Sequence, residues 1–145
     1  MKKAIGILVV ALSTAATIYA QGKKEKEATP TAAAQTAFKQ KFPGATHVKW
    51  EMEKEDFEVN FKQKGTEMSA VFDKSGAHKE TETEIAVSAL PASAAAYVKQ
   101  HYAGRKVKEA ARIMLADGTV NYEAEVGDTD VLFDAAGKFV REAKD

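Results

Sequence analysis

The chain has 145 residues, of which 45% are hydrophobic and 29% charged, the composition of an ordinary globular protein. Its 21 Lys and Arg residues balance 21 Asp and Glu residues, so the basic character of a nucleic-acid-binding protein is missing. Cysteine does not occur, which excludes disulfides, thiolate metal sites and catalysis by a thiol.

The first twenty residues predict a signal peptide. Lys2 and Lys3 give a positive start, residues 4–19 are almost entirely apolar or small, and Ala20 is a plausible cleavage point. A transmembrane anchor is the alternative, but the uncharged run is short for a span of about 20 residues. Cleavage removes two Lys and leaves 19 basic against 21 acidic residues. We therefore expect a periplasmic or secreted protein without a membrane span after signal cleavage.

The next segment, residues 21–31, is charged, small and without an apolar period, and predicts a flexible leader. Ala34, Phe38 and Phe42 then recur every fourth residue, which predicts a helix over residues 32–42. Thr29 or Thr31 is expected to cap its start, and the Pro-Gly pair at 43–44 is expected to end it.

After this helix the apolar period falls to two, which predicts antiparallel strands joined by tight turns. The turns are expected at residues 54–56 and 64–65, and an Asp-x-x-Gly turn at 73–76 closes the unit. The polar alternation from His78 to Ile85 predicts an edge strand whose charges discourage further pairing. The inward residues of the first three strands are predicted to be Val48, Trp50, Met52, Phe57, Val59, Phe61, Met68, Ala70 and Phe72.

A second copy of this pattern begins near Leu90. Ala94, Val98 and Tyr102 repeat the helical spacing of Ala34, Phe38 and Phe42 at an offset of sixty, and residues 134–137 repeat the Asp-x-x-Gly turn. In the copy, one strand is expected to turn Val107, Glu109, Ala111, Ile113 and Leu115 to one face, and the next to turn Tyr122, Ala124 and Val126 inward.

These elements predict an α+β fold of two tandem repeats, each with one helix and a three- to four-stranded antiparallel meander. The repeats span residues 32–86 and 87–145, and together they are expected to form one compact domain. Their sheets are expected to join or pack with both helices on one face; the pattern leaves open whether the sheet is continuous. The other face is expected to be solvated and to carry Lys49, Glu51, Glu53, Glu58, Asn60, Lys62, Glu123 and Glu125.

The signature FPGATHVKWE, FEVNF and AVFDKSG, repeated as LPASAAAYVKQHYAG, NYEAEV and VLFDAAGKFV, covers nearly all of the chain after the leader. It resembles the PepSY-like family of exported bacterial proteins, also described as β-lactamase-inhibitor-protein-like, many of them from Bacteroidetes. The resemblance implies an α+β repeat, a periplasmic or secreted address, and binding or inhibition of other proteins. It implies no active-site residues. The inhibitors resembled have disulfides, whereas this chain has no cysteine.

No pattern for catalysis or metal binding stands out. His47, His78 and His101 lack partners at the spacing of zinc ligands, and the acidic turns at 73–76 and 128–130 lack the remaining ligands of an EF-hand. No Gly-x-Ser-x-Gly or Ser-x-x-Lys motif is present. The strand carboxylates alternate with lysines, so we expect them to be solvated, with ordinary pKa values. We therefore expect no enzyme activity, no cofactor and no bound metal.

The sequence thus favours a non-enzymatic binding module, with an unknown protein or peptide of the cell envelope as its partner. The binding residues are expected on the open sheet face, at Lys49, Glu51, Glu58, Asn60, Glu123 and Glu125, and in the hairpin loops around Lys54, Gly65, Asp117 and Gly127. The alternative is a small-molecule carrier with an apolar pocket between the helices and the sheet.

Overall fold

A computed structural model describes residues 27–144; the predicted signal peptide and residues 21–26 of the predicted leader lie outside the described residues. Within residues 27–144 the chain forms two α-helices, a short 3₁₀ helix and eight strands. The helices are α1 (Ala32–Lys41) and α2 (Ala92–His101), and the 3₁₀ helix is Val87–Ala89. The strands are β1 (Thr46–Glu53), β2 (Asp56–Gln63), β3 (Thr66–Phe72), β4 (His78–Ile85), β5 (Val107–Leu115), β6 (Val120–Val126), β7 (Thr129–Asp134) and β8 (Phe139–Lys144).

All eight described strands form one continuous antiparallel sheet, in the order β1 to β8. The two predicted halves join through β4 and β5, which pair from Glu80 with Leu115 to Ile85 with Ala110. The prediction that β4 is an edge strand is therefore wrong, because this strand lies in the middle of the sheet. β5, which follows in sequence only after α2, pairs with the second edge of β4. The residues around β4 do not indicate this pairing.

The first hydrophobic cluster packs α1 against β1, β2 and β3. Thr31 caps the helix, since its Oγ1 accepts a hydrogen bond of 3.2 Å from the Ala34 N–H. Phe38 is the centre of the cluster: its ring lies 5.0 Å from that of Phe61, 5.4 Å from Trp50 and 6.4 Å from that of Phe72. These edge-to-face contacts fill the space beneath the helix.

The second hydrophobic cluster packs α2 against β5, β6 and β7, and it is mainly aliphatic. Its buried residues are Leu90, Ala94, Val98, Ala110, Ala124, Val126, Val131 and Phe133. The inward positions predicted for β2 and β6 hold for Phe57, Val59, Phe61, Ala124 and Val126, all of which are buried.

Two details of the predicted pattern are wrong. Val48 and Met52 are exposed, because they lie on the first strand of the sheet, where Trp50 alone of the three packs against the first cluster. In β5, a register shift between Val107 and Glu109 changes which residues face each way. Ala110 therefore packs into the second cluster, while Ala111, paired with Glu123, is buried on the opposite face.

The two Asp-x-x-Gly turns form as predicted, and each contacts the start of a helix. Asp73 Oδ1 accepts hydrogen bonds from the backbone of Ser75 and Ala77, and Asp134 Oδ1 accepts them from Ala136 and Lys138. Gly76 and Gly137 have positive φ, and a Cβ on Gly76 would lie 2.7 Å from the Ala33 carbonyl oxygen. The helix ends are also tied by side chains: Thr31 donates to the Lys74 carbonyl and Ser93 to that of Ala136.

Candidate binding face

Five buried glutamates lie on one face of the sheet. Residues paired directly across neighbouring strands share a face, and Glu51 of β1 pairs with Glu58 of β2, Glu58 with Val71 of β3, and Val71 with Glu80 of β4. Alternate residues of a strand also share a face, which adds Glu82. Glu123 joins them through the pairings of Glu84 with Ala111 and of Ala111 with Glu123. We call this surface the acidic face; its buried glutamates are Glu51, Glu58, Glu80, Glu82 and Glu123.

These glutamates are buried, although their face was expected to be solvated. Glu51 is 1% exposed, Glu82 and Glu123 2%, and Glu58 and Glu80 4%. The expectation of solvated carboxylates is therefore wrong for Glu51, Glu58 and Glu123. Apolar residues of the same face, Val71, Ala111, Ile113 and Leu132, are buried among them.

Curvature of the sheet explains this burial. Arg141 of β8 interacts electrostatically with Glu80 of β4, although β5, β6 and β7 separate the two strands. Glu53 of β1 likewise acts on Glu80 across β2 and β3. In a flat sheet, strands three or four apart would be separated by about 14 to 19 Å. The sheet therefore curls toward the acidic face, which makes this face concave and removes its side chains from solvent.

Burial and the repulsion between carboxylates raise the pKa values of two glutamates of β4. Desolvation, followed by the charge of Glu53, raises the pKa of Glu80 to about 7. Desolvation also raises the pKa of Glu82 well above its ordinary value, and the neighbouring carboxylates Glu123, Glu58, Glu80 and Asp130 raise it further. Both carboxyl groups therefore keep their protons to a higher pH than an ordinary glutamate, and Glu80 is divided between its two forms near pH 7.

The chain's own cations lie beside other members of the acidic face. The Lys49 ammonium forms a close ion pair with Glu51, while its own side chain is 60% exposed. Arg141 acts on Glu123 and Glu80, and desolvation lowers its pKa. The charges that raise the pKa of Glu82 most, in contrast, belong to carboxylates.

Several buried polar atoms at this face lack a hydrogen bond within the part of the chain that the structure describes. Both carboxylate oxygens of Glu82, Oε1 of Glu80 and the hydroxyl of Ser69 are among them. Ser69 and Glu82 pair directly across β3 and β4, so these atoms lie on neighbouring strands. Buried polar groups are normally hydrogen-bonded, and leaving one unsatisfied costs about 1–3 kcal/mol.

All six residues predicted to bind a partner lie on this face. Lys49 pairs with Asn60, Glu51 with Glu58, and Glu125 with Glu109 and Asp130, on the same side as Glu123. Lys49 is exposed, Asn60 and Glu125 are half-buried, and the other three are buried. Sequence reasoning missed Glu80, Glu82, Ser69 and Arg141. The alternation of Glu with Thr in β4 is the available signal, but on its own it predicts a polar edge strand.

A separate groove of about 320 Å³ lies where α1 ends beside β1. Phe38, Phe42, Val48 and Trp50 supply apolar walls, and Gln35 and Lys39 supply polar ones. The groove is open rather than enclosed, because the aromatic rings of the first cluster occupy the space between α1 and the sheet.

No group of three or more His, Cys, Asp or Glu side chains within residues 27–144 is arranged to hold a metal ion. Each of the three histidines is within hydrogen-bond distance of a residue close to it in sequence: His47 of Thr46, His78 of Thr81, and His101 of the Tyr97 carbonyl. In the same described part of the chain, no helix is long and apolar enough to cross a membrane.

Residues 64–141 match the model of the family described as "Putative beta-lactamase-inhibitor-like, PepSY-like". This match covers more than half of the chain, and the protein belongs to that family. The resemblance noted from the sequence motifs is thereby confirmed. No curated protein matches the chain.

Solved structures of Bacteroides proteins share the fold. A protein of Bacteroides eggerthii described as "putative periplasmic" is 16% identical with a TM-score of 0.72, and the match covers 81% of this chain and 90% of that one. A DUF2874 family protein of Bacteroides ovatus is 21% identical with a TM-score of 0.69, over 81% and 89%. A BLIP-like protein of Bacteroides fragilis is 24% identical with a TM-score of 0.62, over 81% and 87%.

Proposed function

We propose that the protein is a non-enzymatic binding module of the bacterial cell envelope, periplasmic or secreted, that recognises a protein or peptide through the acidic face and the adjoining hairpin loops. One observation carries this proposal: a concave surface gathers buried carboxylates, and some of their oxygens have no hydrogen-bond partner within residues 27–144. Such groups destabilise the free protein and become satisfied when a partner supplies donors.

We propose that both helices cover the sheet face opposite the acidic face. Phe38 of α1 packs with Phe61 and Phe72, and Val98 of α2 packs with Ala124 in the second cluster. We further propose that these halves are tandem repeats over residues 32–86 and 87–145. The matching contacts of Thr31 and Ser93 with the two closing turns support this division. The acidic face is then left for a partner.

The comparisons favour the same class of function. The family description names a β-lactamase-inhibitor-like group, and a BLIP-like protein shares the fold. A neighbour described as periplasmic supports an envelope address, together with the predicted signal peptide. An inhibitor-like role, in which the concave face covers part of another protein, agrees with these descriptions.

Site-specific photo-crosslinking in the envelope of producing cells tests the proposal. A photoreactive residue at Asn121, which lies on the acidic face opposite Ile113, should form an adduct of defined mass with a partner. The matched control is Lys99, which is exposed on α2. Adducts from Lys99 and none from Asn121 would contradict the proposal.

A second candidate is a small-molecule carrier that uses the groove beside α1. Its volume of about 320 Å³ falls at the lower end of the range of ligand pockets, roughly 300–1,000 Å³. A ligand there would change the fluorescence of Trp50, which lines the groove and is the single tryptophan of the chain. Val48→Glu should abolish that change, since it places a charge in the apolar wall. A change that persists in this variant would contradict binding in the groove.

A further inference from the structure

Glu82 is the position at which the acidic face most lacks a partner. It is 2% exposed, and both of its carboxylate oxygens are without a hydrogen bond among the described residues. Ser69, directly opposite on β3, is 5% exposed and its hydroxyl is equally without one. Two adjacent strands thus present buried polar side chains without hydrogen-bond partners among the described residues, and an apolar ligand would leave them so.

Carboxylate oxygens without hydrogen bonds are best satisfied by a ligand that is cationic or rich in N–H groups. Glu80 lies two residues from Glu82 on the same face, about 7 Å away along the strand, and its Oε1 also lacks a hydrogen bond. An arginine guanidinium offers five N–H donors in a planar fork that suits carboxylates, and a lysine ammonium offers three. Either would replace the mutual repulsion of the carboxylates by attraction.

A long basic side chain suits this site better than a metal ion. The described residues contain no group of three or more acidic or histidine side chains arranged for a metal. Glu80 and Glu82 are also at most 4% exposed, so a group that meets them is buried with them and needs a slender stem. Lys and Arg bury such stems along apolar surface while their charged ends make polar contacts, and Ile113, which pairs with Glu82, offers such a surface.

We propose that the acidic face receives an arginine or lysine side chain of a protein or peptide partner, which binds between Glu82 and Glu80 beside the Ser69 hydroxyl. This inference rests on the proposed function and specifies the chemistry of its ligand. The chain's own basic residues on the strands of this face already face other carboxylates: Lys49 pairs with Glu51, Lys62 with Glu67, and Arg141 acts on Glu123 and Glu80.

Binding of a cation should be coupled to proton release. Since the pKa values of Glu80 and Glu82 are raised in the free protein, a cation that prefers their ionised forms displaces protons from them. The affinity should therefore rise with pH, by about tenfold between pH 6 and pH 8. The other titratable and charged groups that face this pair are Lys49, Glu51, Glu53, Lys54, Glu58, Glu123, Asp130 and Arg141.

The test is an NMR titration of the protein lacking its predicted signal peptide. The probe is acetyl-Gly-Arg-Gly-amide, and the matched ligand carries citrulline, a neutral isostere, in place of arginine. We expect the arginine peptide to bind about tenfold more tightly than the citrulline peptide, with shifts centred on β3 and β4. Glu82→Gln should weaken its binding by about tenfold or more, whereas Glu55→Gln, in the exposed β1–β2 turn, should leave it unchanged.

Equal binding of the two peptides, no binding of the arginine peptide, or an unchanged affinity in Glu82→Gln would overturn the inference. Ca²⁺ binding that Glu82→Gln abolishes, without discrimination between the peptides, would assign the site to a metal instead. Peptide binding that appears only when Lys23, Lys24 and Lys26 are replaced by Gln would show that the protein's own leader occupies the acidic face. A crosslinked partner at Asn121 combined with any of these results would leave the proposed function standing while this inference fails.

Discussion

The two faces of the sheet are buried by opposite chemistry. One face of β2 and β3 buries Phe57, Phe61 and Phe72 against a helix, while the other face of the same strands buries Glu58 and Ser69. On the first face, sequence pattern, burial and packing agree with one another, as they do in a stable core. On the acidic face they disagree, because carboxylates occupy positions that would favour apolar side chains.

This difference agrees with the proposal that the apolar face stabilises the fold and that the acidic face binds a partner. Buried aromatic groups contribute transfer free energy and contacts. Buried carboxylates without hydrogen bonds cost free energy, so they do not stabilise the free protein. The contrast predicts that substitutions on the two faces will change stability in opposite directions.

The largest effect on stability is expected from Phe72→Ala, which leaves a cavity in the core on the apolar face. Phe72 is fully buried and its ring lies between those of Phe38, Trp50 and His78. Loss of this ring should lower the free energy of unfolding by about 3–5 kcal/mol. Urea denaturation measures the change, and Val140→Ala, at an exposed apolar position, is the control. A loss below about 1 kcal/mol for Phe72→Ala would show that the first cluster is not the stabilising core.

The opposite effect is expected from Glu80→Gln on the acidic face. The pKa of Glu80 in the folded protein, about 7, exceeds its ordinary value of 4.5. Between pH 4.5 and pH 7, therefore, Glu80 ionises in the unfolded chain but keeps its proton in the folded protein. The resulting penalty is absent below pH 4.5 and reaches at most about 3 kcal/mol above pH 7.

Removal of this carboxylate should therefore stabilise the protein at pH 8 and change little at pH 4. The measurement is urea denaturation at both pH values, with Glu55→Gln as the exposed control. Equal effects at the two pH values, or destabilisation at pH 8, would show that Glu80 ionises normally in the folded protein.

A smaller effect is expected where α1 rests on the closing turn of β3. Gly76→Ala should destabilise the protein by about 2–3 kcal/mol, because its positive φ disfavours alanine and the new methyl group would press on the Ala33 carbonyl. Gly65→Ala, at a similar positive φ but with open space around it, should cost only about 1 kcal/mol. Thermal melts of the two variants compare them; equal losses would argue against tight docking of the helix on this turn.

Local patterns predicted much of the apolar face. The helix over residues 32–41, the alternation of Phe57, Val59 and Phe61, and both Asp-x-x-Gly turns depend on neighbours in sequence, and all are present in the structure. The position of β4 depends instead on β5, which pairs with it after an intervening helix. No local pattern distinguishes a central strand from an edge strand that carries the same polar residues.

The acidic face shows the same limit more strongly. Sequence parity placed Glu51, Glu58 and Glu123 on one face, but their burial depends on the curl of eight strands. The exposure of a side chain on a concave surface is a property of the whole sheet, so alternating Glu and Lys suggested solvation. The bulge in β5 had a similar consequence, since one extra residue moved Ala111 to the acidic face.

The most direct test of the account is a carbon-13 NMR titration of the side-chain carboxyl groups of Glu80 and Glu82. In the free protein we expect Glu80 to titrate near pH 7 and Glu82 well above the ordinary range. Addition of acetyl-Gly-Arg-Gly-amide should lower the pKa of both groups. Titration of both carboxyls near 4.5 in the free protein, with no response to the peptide, would contradict the claim that the acidic face holds buried carboxylates for a cationic partner.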